Sequence, residues 1–234
     1  LPTDDPYGLG ITATTDPNTI ANIVDWVKIE IRDAATPTTI LKSVAAFVRN
    51  DGTLVDINGS STSVNLGIIP GSYHIAIRHR NHLGVMTNTA LNFTGATATS
   101  DVDFTVNSPA HGVYGTHARA QVATNVWALW AGDVNQDGQV LNNASPSDVN
   151  LVSARVLADA GNTGFFGSGP LNTYTGITAV YELYDVNMDG KIFDNADPSD
   201  ANLISLIVLS HPANTGFFSS GPIDTFTGLI EQLP

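Results

Sequence analysis

Two stretches of the sequence set oxygen ligands at a spacing that suits a hard cation. Asp133-x-Asn135-x-Asp137-Gly138 and Asp185-x-Asn187-x-Asp189-Gly190 put side-chain oxygens at positions 1, 3 and 5 of a short loop, with glycine at 6, where the chain must turn sharply. The position-7 backbone carbonyls, of Gln139 and Lys191, add one oxygen to each set. All-oxygen donors of this kind fit Ca2+, so two calcium sites are expected. An EF-hand loop would carry a bidentate acid at position 12, where this chain has Ala144 or Ala196. Fifteen residues after the first Asp, however, stand Asp148 and Asp200, in Ser145-Pro146-Ser147-Asp148 and Asp197-Pro198-Ser199-Asp200. These runs predict a helix start with Ser145 or Asp197 as N-cap, proline first and the acid third. From a first helical turn, each acid could reach back and close the ligand set.

The elements that position these groups are duplicated. Residues 133–177 align with 185–229 at a constant offset of 52 without a gap, and 26 of the 45 positions are identical, so the second half is a tandem repeat. Behind each helix start, Val149, Leu151, Val152, Val156 and Leu157, and in the second copy Leu203, Ile204, Ile207 and Val208, recur at helical spacing and predict a core-facing stripe. Charge follows the repeat. Of the formal net charge of −13, residues 131–234 carry −10, from twelve acids against Arg155 and Lys191. Such an excess calls for solvent or cations.

The paired loop-then-helix units resemble type I dockerin calcium repeats. The run Val126-Trp127-Ala128-Leu129-Trp130-Ala131-Gly132-Asp133-Val134-Asn135 resembles a region near the end of large secreted surface proteins of Bacteroidota-type bacteria. The resemblance implies calcium binding by Asp133, Asn135, Asp137, Gln139 and Asp148, and by Asp185, Asn187, Asp189, Lys191 and Asp200. It also implies a secreted, cell-surface location. Dockerins grip cohesins through their helices; the inserted NTGFF…SGP segments and the longer period depart from that pattern.

Upstream, residues 23–107 read as strands. Val27, Ile29 and Ile31 alternate with Trp26, Lys28, Glu30 and Arg32; Tyr73, Ile75 and Ile77 with His74, Ala76 and Arg78; Val102, Phe104 and Val106 with Asp101, Asp103 and Thr105. Turns are expected at Asn50-Asp51-Gly52-Thr53, Asn58-Gly59 and Pro70-Gly71. About seven such strands predict an antiparallel β-sandwich, and the Pro-Gly-Ser-Tyr-x-Ile-x-Ile-Arg run resembles prealbumin-like or CnaB-type surface modules. The expected fold class is mainly β with a small α region, the sandwich preceding the calcium repeats. The expected divisions are an N-terminal arm at 1–22 that could donate a strand, the sandwich at 23–107, a packed connector at 108–131, and repeats at 132–183 and 184–234. The connector's Tyr114, Val122, Val126, Trp127, Leu129 and Trp130 are too apolar for a flexible linker. They are expected to pack against the repeats. The pairs Phe165-Phe166 and Phe217-Phe218 read as core plugs or as partner-facing aromatics.

Other chemistry is poorly represented. The chain has no cysteine, which removes thiolate sites and disulfides. No nucleophile elbow, phosphate loop, HExxH or dinucleotide fingerprint is present, so no enzyme is expected. His74, Arg78, His79, Arg80, Asn81 and His82 form a tempting cluster without an adjacent carboxylate in sequence, and read as a hydrogen-bonded strand end. Acidity disfavours nucleic acid, and no apolar run approaches the roughly 20 residues of a membrane helix. The opening Leu1-Pro2-Thr3-Asp4-Asp5 reads as the start of a processed secreted protein. The expected function is that of an extracellular, calcium-stabilised structural or adhesive surface protein that self-assembles into a fibre by strand addition. The alternative is a dockerin-like or carbohydrate-binding module, with a glycan or cohesin-like partner.

Overall fold

The computed structural model describes residues 1–95, 102–143, 146–195, 198–217 and 220–234. Ala144, Ser145, Ala196, Asp197, Phe218 and Asp101 lie outside the described residues. Mainly β structure with antiparallel pairing and two helices matches the expected class. The chain divides into two compact units: residues 1–80, 84–129 and 232–234 form the first, and 81–83 with 130–231 the second. The connector is thus not a separate piece, since residues 108–129 belong to the first unit.

The first unit is built on long strands. Strands β1 (Ile23–Asp33), β2 (Ile40–Arg49), β3 (Leu54–Val55), β4 (Gly71–His79), β5 (His82–Met86) and β6 (Leu91–Phe93) make a sheet of order β3-β2-β1-β4-β5, with β6 also on β4. β1 is central because its alternation is served on both sides: Ile29 lies opposite Val44 and Ile77, Ile31 opposite Lys42 and Ile75. Val27, Ile29 and Ile31 gather with Ala46, Ile75 and Phe93, and the segment carrying Val64, Leu66 and Ile68 covers them. Among the described residues, this irregular segment stands where a second large sheet was expected. The only other sheet there is the ribbon of β7 (Ala120–Ala123) and β8 (Val126–Ala128).

Several expectations are corrected here. The alternating partners on the opposite face of β1 are also largely buried: Trp26, Glu30 and Arg32 are fully or nearly so. Trp26 packs against Phe47 with the rings tilted by 53° and their centroids 4.3 Å apart. No strand forms at 102–106, because buried Arg119 donates to the carbonyls of Phe104 and Val106 and so holds that stretch as an irregular loop. In the connector, Val122 and Val126 are exposed while Trp130 is buried. Among the described residues, the arm joins no sheet as a strand. It closes on its own unit, where the Asp5 carboxylate accepts from the N–H groups of Tyr7, Leu9 and Ile11. Trp26 Nε1–H donates to the Pro2 carbonyl at 3.0 Å and the Tyr7 hydroxyl to the Trp26 carbonyl at 2.8 Å.

In the second unit, helices α1 (Asp148–Leu157) and α2 (Asp200–Ser210) pack together. Val152 and Val156 of α1 are buried, as are Ile204 and Val208 of α2. Leu157 turns out exposed, the expected stripe being narrower than its apolar composition. Both helices start two residues later than predicted. Ser147 and Ser199, in extended conformation, are the N-caps and accept from the N–H groups of Asn150 and Asn202. The acids are therefore first, not third, in their helices. No described helix is long and apolar enough to cross a membrane.

Candidate metal centre

The two acidic loops have the same local structure, imposed by side chains that accept from their own backbone. In the first, Asp133 Oδ1 accepts from the Asp137 N–H at 3.1 Å and Oδ2 from the Gly138 N–H at 3.1 Å, while Asn135 Oδ1 also takes the Asp137 N–H at 3.0 Å. The second loop repeats this with Asp185, Asn187, Asp189 and Gly190 at 3.1, 3.1 and 2.9 Å. Position 6 is left-handed in both, with φ of 78° at Gly138 and 80° at Gly190, which is why a glycine sits there. Position 4 is left-handed as well, although Gln136 and Met188 fill it. This costs backbone energy that the two side-chain acceptors help offset.

The helix-borne acids do reach back. Asp148 accepts from Val134 N–H at 3.0 Å and Leu141 N–H at 2.8 Å, tying its helix start to both ends of the loop; Asp200 does the same with Val186 at 2.7 Å and Phe193 at 2.8 Å. Asp133, Asp148, Asp185 and Asp200 are all buried, whereas Asp137 and Asp189 are exposed. Among the described residues, no group of three or more histidine, aspartate or glutamate side chains converges as a ready-made cage. Their oxygens are instead turned to backbone N–H groups.

Electrostatics sharpens the picture. Burial, with the Asp148 and Asp137 charges behind it, pushes the Asp133 carboxyl up to about 7; burial and the Asp137 charge push Asp148 up to about 6. Asp200 is also raised, first by burial and then by Asp189. No cationic side chain pairs with Asp133, Asp148 or Asp200 among the described residues. Lys191, at position 7 of the second loop, places its ammonium over the Phe193 ring, 5.8 Å from the centroid. The position-7 carbonyls of Gln139 and Lys191 receive no hydrogen bond among the described residues; the pairings at that point run through the carbonyls of Gly138 and Gly190. Donor chemistry thus fits a hard divalent ion: at positions 1, 3, 5 and 7 each loop offers carboxylates, an amide oxygen and a free carbonyl, with no imidazole or thiolate among them. Asp133, Asn135, Asp137, Gln139 and Asp148 would hold one ion, and Asp185, Asn187, Asp189, Lys191 and Asp200 the other.

No protein-family model, curated protein or solved structure matches the chain.

Two other features singled out in the sequence can be placed. The histidine–arginine cluster does meet carboxylates, from across the sheet rather than along the chain. Asp25 lies 3.0 Å from His79 Nε2 and 2.8 Å from Arg80 Nε, and Glu30 contacts Arg32, Lys28 and Arg78 at 2.7, 2.9 and 3.0 Å. Asp25 and Glu30 are thus buried carboxylates with cationic partners from their own unit. Of the aromatic pairs, Phe165, Phe166 and Phe217 are not core plugs, being 65%, 93% and 66% exposed. Their loops close so tightly that a side chain at Gly164 or Gly216 would strike the carbonyl of Gly169 or Gly221.

Sequence reading missed Ser153 and Ser205, and it placed Asn81 in a hydrogen-bonded strand end without its link to the loops. Asn81 is fully buried and donates to the carbonyls of Leu183 and Asp185, at 2.9 and 2.7 Å. Its own carbonyl accepts from Gly132, immediately before the first loop. The serines recur at the repeat offset of 52, a signal available from the sequence.

Proposed function

We propose that the chain is an extracellular, calcium-stabilised structural or adhesive surface protein, not an enzyme, in which two bound Ca2+ ions hold the second unit together. The single observation that carries this reading is the burial of Asp133, Asp148 and Asp200 with backbone N–H groups but, among the described residues, no cationic side chain as partners. Buried carboxylates are costly unless paired, and a divalent ion would supply the missing charge. At ~1 mM free Ca2+ and a Kd of about 10 μM, each ion would add roughly 2.7 kcal/mol of stability. Calorimetric titration tests it: two ions per chain are expected, with a higher melting temperature in calcium than in chelator. An identical melting temperature in the two conditions would refute it.

Self-assembly into a fibre remains part of this proposal, though coupling through the arm would require it to leave Trp26 and the Asp5 turn on its own unit. Size-exclusion chromatography and electron microscopy of the full chain in calcium test assembly directly. The second reading, a module that captures a glycan or cohesin-like protein, is favoured by the exposed Phe165, Phe166 and Phe217.

A further inference from the structure

Each acidic loop is positioned by residues of the other repeat. Ser153 on α1 donates to Asp194 Oδ1, beyond the second loop, at 2.6 Å; Ser205 on α2 donates to Asn142 Oδ1, at the equivalent place beyond the first loop, at 2.9 Å. The ends of the repeats are exchanged in the same way. Gln139 of the first loop bridges to Ile230 of the second repeat, with Val140 N–H donating to Leu229 at 2.9 Å and Glu231 N–H to Gly138 at 2.7 Å. Lys191 of the second loop bridges to Thr178 of the first repeat, with Ile192 N–H donating to Ile177 and Val180 N–H to Gly190, both at 3.2 Å. Asn81 joins the starts of both loops through Gly132 and Asp185.

We infer that the two loops take up their ions as one cooperative pair, with Ser153, Ser205, Asn81 and the exchanged repeat ends as the positioning groups. This rests on the calcium reading above. The physical reason is that ordering one loop fixes the helix start behind it, hence the serine that holds the other loop, and fixes the segment to which the other repeat's end is bound. Either ion then lowers the ordering cost met by the other, and the coupling must be equal in both directions.

Titration of the full chain with CaCl2 tests this. The unsubstituted chain should bind two ions with positive cooperativity. Asp189→Ala removes a ligand from the second loop alone, and should leave the first loop binding about tenfold or more weakly than the unsubstituted chain's half-saturation; Asp137→Ala should weaken the second loop by the same factor. Ser205→Ala removes no ligand and little volume, so it stays informative if the acid variants fail to fold; its isotherm should lose cooperativity, with a Hill coefficient moving towards 1. A remaining loop within twofold of the unsubstituted affinity, or an unchanged isotherm in Ser205→Ala, would overturn the coupling while leaving the calcium reading in place. No ion bound by the unsubstituted chain would overturn both.

Discussion

The two units bury carboxylates in opposite ways. In the first, Glu30 sits among Arg32, Lys28 and Arg78, and Asp25 beside Arg80, so the unit brings its own counter-charges. In the second, Asp133, Asp148 and Asp200 have backbone N–H groups and like charges as neighbours. A long strand can recruit a cation from the strand beside it, as β1 recruits Arg78 of β4, which lies opposite Lys28. A tight loop has no such neighbour. The difference is between a unit that supplies counter-charges to its buried carboxylates and one whose buried carboxylates an ion from solution would balance.

The largest effect expected from this contrast is chelation. Removing calcium should cost the second unit about 5 kcal/mol, two sites of the size estimated above. Hydrogen exchange should then rise across 130–231 while β1 and β4 stay protected. Loss of protection in the sheet first would contradict the division of labour. Next in size is Glu30→Ala, which strands three cations around a buried position and should cost the first unit about 3–5 kcal/mol, by the same amount with and without calcium. A calcium-dependent penalty, read from denaturant unfolding in both conditions, would break the comparison.

Much of this contrast could be read from the sequence, and the parts that could not have local causes. The alternations Val27-Ile29-Ile31 and Tyr73-Ile75-Ile77 predict β1 and β4, because period-two patterning is a local property. The burial of Glu30 and Arg32 on the other face depends on cross-strand register, which alternation does not encode. The strand expected at 102–106 failed because a distant guanidinium, Arg119, takes its carbonyls. In the acidic loops, the Asp-x-Asn-x-Asp-Gly spacing fixes the turn and the following acid does return to it. The helix start was displaced because Ser147 and Ser199, rather than residues two positions earlier, cap it; Ser147 also donates to the Leu141 and Asn142 carbonyls. The exchange between repeats is invisible to any one repeat.

Acidity should separate the units again, more gently. Burial works to raise Glu30, but the hydrogen bonds of Lys28 and Arg32 and the Arg78 charge outweigh it and hold the carboxyl below its usual range. Its folded form therefore binds protons less readily than the unfolded chain, so the stability it brings is present above the ordinary carboxylate range and is lost as pH falls through it. In the ion-free loops the sign is reversed. With Asp133 raised to about 7 and Asp148 to about 6, the folded state binds protons more readily than the unfolded chain, so stability grows as pH falls through that range. In chelator, lowering the pH from about 8 to about 5 should increase exchange protection in 130–231 and leave β1 and β4 unchanged; only below about pH 4 should the sheet weaken. Parallel behaviour of the two units between about pH 5 and 8 would remove the electrostatic distinction.

The smallest effect is the most discriminating, because its sign depends on the ion. Asp137 is exposed, and its charge adds to the strain on both Asp133 and Asp148. Asp137→Asn keeps an oxygen for the Gln139 N–H, which Asp137 Oδ1 accepts at 2.9 Å, while removing one like charge from the loop. Without calcium this should stabilise the second unit by up to ~1 kcal/mol, the usual scale for relieving an exposed charge interaction. With calcium it should destabilise, because the lost charge also weakens the ion's grip. No comparable inversion is expected in the first unit, where Lys28→Gln removes a favourable charge from Glu30 whatever the calcium concentration. Melting temperatures of the two variants in calcium and in chelator form a four-point test. If Asp137→Asn lowers stability in both conditions, the loop is already balanced without an ion, and the second unit handles its buried charge as the first one does.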